Sequence, residues 1–176
     1  MKFALTLLAL APLAACVSQA PVQPNDKGVL ALGIKDAVLV EPQLISSGQY
    51  DVAQFSKLSA LGYHTVIQLR LPTEQGAGWE EVKAKELGLQ FVRIPVDGTK
   101  GLTEANARAL EGALQRRTGG TLVACNSGNR VGALFALKAF YCDKMPAEKA
   151  LEEGRKAGLT KAEPEVRKLL GLPEAK

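Results

Sequence analysis

The chain has 176 residues, of which 47% are hydrophobic and 23% charged. That is ordinary for a globular protein, and the length is enough for one domain with a real core. The formal net charge of +4 is scattered, with no basic tract interleaved with aromatics, so nucleic acid is not expected as a partner, and three cysteines are too few for a disulfide scaffold.

The N-terminus reads as a targeting segment. Met1-Lys2 is a short positive region, and Phe3 to Leu13 is apolar but too short for a stable membrane span. The run ends in Leu13-Ala14-Ala15-Cys16, small residues before a cysteine, and resembles the lipobox of bacterial lipoproteins. The resemblance implies cleavage before Cys16 and acylation of that cysteine. Acyl chains anchor durably, at about 0.8 kcal/mol for each buried CH₂. Val17 follows, with no inner-membrane retention signal, so the bacterial outer membrane, facing the periplasm, is the expected destination. An ordinary secretory signal is the alternative.

Val17 to Gly28 is rich in Pro, Gln, Asn and Ser and reads as a tether. Val29 to Val40 is apolar without a clear period. Gln43 to Ser47 reads as a short strand closed by Gly48-Gln49. Asp51 is a good N-cap for a helix with Phe55, Leu58 and Leu61 on one face, stopped by Gly62. Thr65 to Leu69 is a strand ending at Arg70, and Pro72 to Gly78 a loop. Trp79 to Leu87 is a helix stopped by Gly88. Leu89 to Val96 is a strand, followed by the turn pair Asp97-Gly98. Thr103 caps a helix running to about Arg117, with Ala107, Leu110 and Leu114 at helical spacing.

Leu122 to Ala124 reads as a buried strand with Cys125 directly after it, and Gly132 to Tyr141 as an apolar helix. Ala147 to Ala157 and Glu163 to Leu170 read as terminal helices. Alternating strands and helices predict an α/β fold: a single domain with a central, mostly parallel sheet flanked by helices. The expected divisions are a signal at 1–15, a tether and N-terminal extension at 16–37, and the folded domain at 38–172. Such sheets bind ligands beyond the carboxyl ends of their strands. Arg70, Asp97 and Cys125 all fall at such ends.

The stretch Cys125-Asn126-Ser127-Gly128-Asn129-Arg130 carries the chemistry. A thiol between a strand end and a helix start faces free N–H groups and the positive end of the helix dipole, which favours the reactive thiolate. Arg130 adds a planar fork of donors suited to a tetrahedral oxyanion. A cation at a helix start is disfavoured by the dipole, which points to a bound anion. Arg70 could assist with that anion or form a structural ion pair. His64, the only histidine, and Cys142 read as structural, and Trp79 as a packing residue.

This Cys-x-x-Gly-x-Arg loop resembles those of cysteine-dependent phosphatases and of rhodaneses. With Ile45-Ser46-Ser47-Gly48-Gln49, Val66-Ile67-Gln68-Leu69-Arg70, Ile94-Pro95-Val96-Asp97 and Gly101-Leu102-Thr103 in that order, it is similar to the phosphatase-like family related to the N-terminal domain of beta-lactamase hydrolase-like proteins. The likeness covers roughly Leu44 to Tyr141. It implies a dual-specificity-phosphatase-like fold, and a phosphorylated small molecule or phosphoprotein as substrate. It also implies Cys125 as the nucleophile that forms a thiophosphate, Arg130 as the grip on the equatorial oxygens, and the N–H groups of Asn126, Ser127, Gly128, Asn129 and Arg130 as the cradle. Asp97 then stands as general acid, a role worth about 10² to 10⁴-fold. This chemistry calls for no metal or cofactor, and no metal-ligand spacing is present. Four residues separate cysteine and arginine, where phosphatases carry five; that is closer to the rhodanese loop, which holds a persulfide. Ala124 stands where a histidine is usual, and Val131 where a hydroxyl is usual. A sulfurtransferase and a non-catalytic oxyanion-binding module therefore stand as alternatives.

Overall fold

The apolar runs of the sequence become a five-stranded sheet with its most buried strands in the middle. A computed structural model describes residues 22–174; the lipobox, Cys16 and the start of the tether lie outside them. In chain order the elements are α1 (Asp26–Leu30), β1 (Val38–Glu41), β2 (Leu44–Ser47), α2 (Val52–Phe55), a 3-10 turn (Ser59–Leu61) and β3 (Tyr63–Gln68). There follow α3 (Glu80–Glu86), β4 (Gln90–Arg93), α4 (Glu104–Gln115), β5 (Gly120–Ala124), α5 (Asn129–Tyr141), α6 (Ala147–Lys156) and α7 (Glu163–Leu169).

The strand order is β1-β2-β5-β3-β4. β2, β5, β3 and β4 are parallel, and β1 adds an antiparallel edge through a hairpin. β2 and β5 are buried at every position because helices cover both faces. One face packs α4, α5, α6 and α7 through Leu110, Leu134, Leu137, Leu151 and Val166. The other packs Val29, Phe55, Ala84 and the Tyr50–Phe55–Trp79 aromatic cluster. The fold is thus a single α/β domain with a mostly parallel sheet, as the alternating pattern predicts.

The register puts the site at one end. Ser47 and Gln68 both lie opposite Ala124, and Arg93 lies opposite Gln68. The chain leaving each parallel strand therefore emerges on the same rim, which brings Cys125, Arg70 and the Asp97 turn together.

Three local expectations differ. The tether expected through Gly28 gives way to ordered chain earlier. Asn25 Oδ1 caps α1 by accepting from Gly28 N at 2.9 Å, Val29 is fully buried, and Tyr63 Oη donates to Asp26 Oδ1 at 2.7 Å. The polar residues that suggest a linker are here a cap and a partner. The unclear stretch from Val29 to Val40 resolves into the end of α1 and strand β1. The helix expected from Asp51 to Leu61 forms only one turn. Its capping box is intact, with Asp51 and Gln54 bonded at 2.8 and 2.9 Å. Ser56 Oγ then bonds back to Val52 O at 2.7 Å, and the chain tightens into the 3-10 turn before Gly62.

α5 is apolar on nearly every side and runs through the interior. A Cβ on Gly132 would lie 2.0 Å from Leu159 N, so only glycine lets the α6–α7 connection press this close to the start of α5.

Candidate functional site

The loop from Cys125 to Gly128 turns β5 into α5. Cys125 N donates to Ser47 O at 3.1 Å, and Gln49 N donates to Asn126 O at 3.3 Å, so the neighbouring β2 end pins the turn. Gly128 takes the left-handed conformation at φ +69° as N-cap of α5. The N–H groups of Asn126, Ser127, Asn129 and Arg130 donate to no acceptor among the described residues. Those of Asn129 and Arg130 are donors that the N-terminus of α5 leaves free for an anion, and those of Asn126 and Ser127 belong to the loop before it.

Arg130 is turned inward. Its Nη1 donates to Glu74 Oε1 at 2.6 Å and to Val96 O at 2.8 Å, and its Nη2 donates to Glu74 Oε2 at 2.8 Å. The fork is thus already filled by a carboxylate, in the two-pronged geometry that suits an oxyanion. Glu74 comes from the loop after β3, where its Oε1 also accepts from Leu71 N at 2.8 Å. Arg70 Nε reaches Glu74 Oε2 at 3.2 Å, so one carboxylate bridges two guanidiniums. The hydrogen bond from Arg130 is the main reason the Glu74 pKa falls to about 2. Arg130 is in turn held above its ordinary range, by Glu74 first, against an opposing burial effect, and with a further contribution from Cys125.

A cavity of about 410 Å³ opens over the loop, lined by Leu71, Glu74, Asp97, Leu102, Ser127 and Arg130, with Asn126, Asn129 and Ala162 at its edges. Cys125 is 1% exposed and is not among the lining residues; it packs in the apolar cluster beside Leu69 and Val131. Asp97 is exposed at the rim and its carboxylate makes no ion pair or hydrogen bond among the described residues. Its backbone is fixed by Gly101 N donating to Asp97 O at 3.0 Å. A second, more polar cavity of about 560 Å³ adjoins the first and is lined by Gln49, Arg70, Glu74, Gln75, Gly76 and Asn126. Glu74 and Asn126 belong to both.

The residues singled out in sequence therefore gather at one rim, but not in one role. Asp97, Asn126, Ser127 and Arg130 face the first cavity, and Arg70 faces the second. Asn129 turns its side chain away. Its Oδ1 accepts from Thr160 N at 2.9 Å, Thr160 Oγ1 at 3.2 Å and Ala162 N at 3.1 Å, holding the α6–α7 connection against the loop. Glu74 is the residue that sequence reasoning missed. Its signal is faint: a carboxylate four residues beyond Arg70, in a stretch legible only as a loop.

A model of the family described as beta-lactamase hydrolase-like protein, phosphatase-like domain, matches residues 36–141. The chain belongs to this family. A beta-lactamase hydrolase-like protein of Xylella fastidiosa (strain Temecula1) is 31% identical over 123 residues. That alignment covers 68% of this chain but 28% of that protein, so the chain spans less than a third of the relative's length. A solved structure of a candidate phosphatase (DUF442) from Shewanella putrefaciens CN-32 is 26% identical, with a TM-score of 0.58 over 81% of this chain and 91% of that one. A candidate phosphatase from Neisseria meningitidis Z2491 superposes with a TM-score of 0.60 at 17% identity, over 74% of this chain and 96% of that one, and shares the fold. The fold is phosphatase-like.

Proposed function

We propose that the chain is a cysteine-dependent phosphatase-like hydrolase of phosphate monoesters. The observation that carries this reading is the Arg130 fork, which holds an oxyanion, the Glu74 carboxylate, beside unpaired loop amides and Cys125. A phosphoryl group that displaces Glu74 meets the same donors. The Cys125 thiolate attacks phosphorus, a sulfur–phosphorus bond forms, and the bond to the leaving oxygen breaks. Asp97 gives that oxygen its proton. Water then attacks the thiophosphate, Asp97 takes a proton back, and phosphate and the free thiolate are released. The substrate is a phosphorylated small molecule or phosphoprotein.

The test is turnover of para-nitrophenyl phosphate by the full chain. Cys125→Ser reduces it to background, and Asp97→Asn lowers it by about 10²-fold or more with the largest loss for poor leaving groups. Turnover that survives Cys125→Ser overturns the reading. The four-residue spacing from cysteine to arginine favours one second reading, sulfur transfer through a Cys125 persulfide; thiocyanate release from thiosulfate and cyanide would promote it. Oxyanion binding with neither turnover would leave a binding module.

We further propose that the chain is lipid-anchored at Cys16 to the bacterial outer membrane, facing the periplasm, on the strength of Leu13-Ala14-Ala15-Cys16. Among the described residues no helix is long and apolar enough to cross a membrane. Labelled palmitate incorporated by the native chain and lost in Cys16→Ala supports the anchor; incorporation that persists in the variant refutes it.

A further inference from the structure

Among the described residues, Arg70 is a buried charge that the protein does not fully satisfy. It is 2% exposed, and its Nη1 is buried with no hydrogen-bond partner. Its other donors are used: Nε on Glu74 Oε2, and Nη2 on Gln75 O. A buried, incompletely paired guanidinium is costly unless something else completes it. Arg70 also faces its own cavity, which Arg130 and Asp97 do not line. Gln49, Gln75 and Asn126 make that space polar, unsuited to an apolar leaving group.

Glu74 divides the two cavities and holds both forks at once. Arg70 Nε and Arg130 Nη2 lie 3.2 and 2.8 Å from the same oxygen, Oε2. Two guanidiniums thus share a single carboxylate, which leaves one positive charge uncompensated. An anion oxygen that takes the place of Oε2 meets Arg130 Nη2 and Arg70 Nε together, and with Glu74 moved aside the two cavities form one trough. A single phosphoryl group seated on the loop amides leaves the Arg70 side empty. A ligand with two neighbouring oxyanions fills both.

We infer that the trough is a two-anion site: the scissile phosphate takes Arg130 and the loop amides, and a second oxyanion a few bonds away takes Arg70 in the cavity lined by Gln49 and Gln75. The substrates are bisphosphorylated or pyrophosphorylated small molecules rather than lone phosphate monoesters. This rests on the phosphatase reading but is tested apart from it.

The test is calorimetric binding of inorganic pyrophosphate and inorganic phosphate to the full chain carrying Cys125→Ser, so that nothing is consumed. Pyrophosphate binds about tenfold more tightly or better, the scale of one charge-assisted hydrogen bond. In Arg70→Gln the ratio of the two affinities falls towards one. Should that variant not fold, Gln49→Glu, at a half-exposed position of the same cavity, lowers pyrophosphate affinity several times more than phosphate affinity. Equal affinities for the two anions, or a ratio untouched by both variants, overturn the inference. The phosphatase reading stands or falls separately, on para-nitrophenyl phosphate turnover by the chain with Cys125 intact.

Discussion

Two carboxylate–guanidinium pairs sit on the same end of the sheet and behave differently. Glu80, at the start of α3, is 1% exposed; its Oε2 takes Arg93 Nη2 at 3.0 Å and Gly78 N at 2.7 Å, and its Oε1 takes Gln68 Nε2 at 3.2 Å. Arg93 completes the arrangement by donating to Arg70 O at 2.8 Å. Glu74 is 26% exposed at a cavity mouth, shared between two arginines, one of which keeps a buried nitrogen unpaired. The first cluster is saturated by the protein alone. In the second, the protein's own groups do not balance. Saturation is what a structural ion pair needs; an imbalance beside a cavity is what a ligand completes.

The comparison breaks most visibly at Glu80. Glu80→Ala leaves Arg93, whose side chain is 14% exposed, facing an empty place, and removes acceptors from Gly78 and Gln68. Breaking a buried pair from one side costs about 3–5 kcal/mol, read as a lower denaturant midpoint. Glu74→Gln keeps the shape of its side chain and an acceptor oxygen for the arginines at a more exposed position, so it lowers the denaturant midpoint less than Glu80→Ala does. The same substitution removes the carboxylate that occupies the Arg130 fork, so the affinity for inorganic phosphate rises by about tenfold. A large loss of stability with no gain in phosphate affinity would make Glu74 a second Glu80, and the contrast would vanish. Asn129→Ala is a smaller change. It removes the shared acceptor of Thr160 and Ala162, costs about 1–2 kcal/mol, and loosens the α6–α7 connection, seen as faster amide exchange at Thr160 and Ala162.

Much of this was legible in the sequence, for physical reasons that also explain the rest. The run Leu122-Val123-Ala124 followed by Cys125 and Arg130 is local, so strand, turn and helix could be read in one stretch, and a parallel topology then brings Arg70 and Asp97 to the same rim. What sequence did not reveal depends on side chains meeting across the fold. Glu74 and Arg130 are 56 residues apart in sequence, and nothing in a Pro-Thr-Glu-Gln-Gly loop signals which cation it will meet. Asn129 lay in the loop and invited a ligand role, but its acceptor went to the backbone of a segment 31 residues on. The helix capped by Asp51 reads as longer than it is because Phe55, Leu58 and Leu61 keep helical spacing, while Ser56 bonding back to Val52 decides the local geometry. Asn25 and Asp26 looked like linker residues because caps and linkers draw on the same polar set.

The smallest effect is the one that isolates the bridging carboxylate. The ordinary glutamate value is 4.5, and in the fold Arg130 and its neighbours bring Glu74 down to about 2. A lowered folded value means that the pairing contributes its full stability above about pH 4.5, and that this contribution is lost as the pH falls towards 2, where Glu74 protonates in the folded chain. Glu163, held by Arg155 and Arg167, is also lowered to about 2, so the native chain loses stability in this window from two carboxylates at once. The informative quantity is therefore the difference in Tm between the native chain and Glu74→Gln. It is constant at neutral pH and narrows between about 4.5 and 2, because the variant has no charge there to lose. Glu163→Gln narrows its own difference over the same window with no change in phosphate affinity, since its arginines face no part of the trough. A Glu74 difference that stays flat down to pH 2 would mean that the carboxylate does not bridge the two arginines in solution. The two cavities would then already be one.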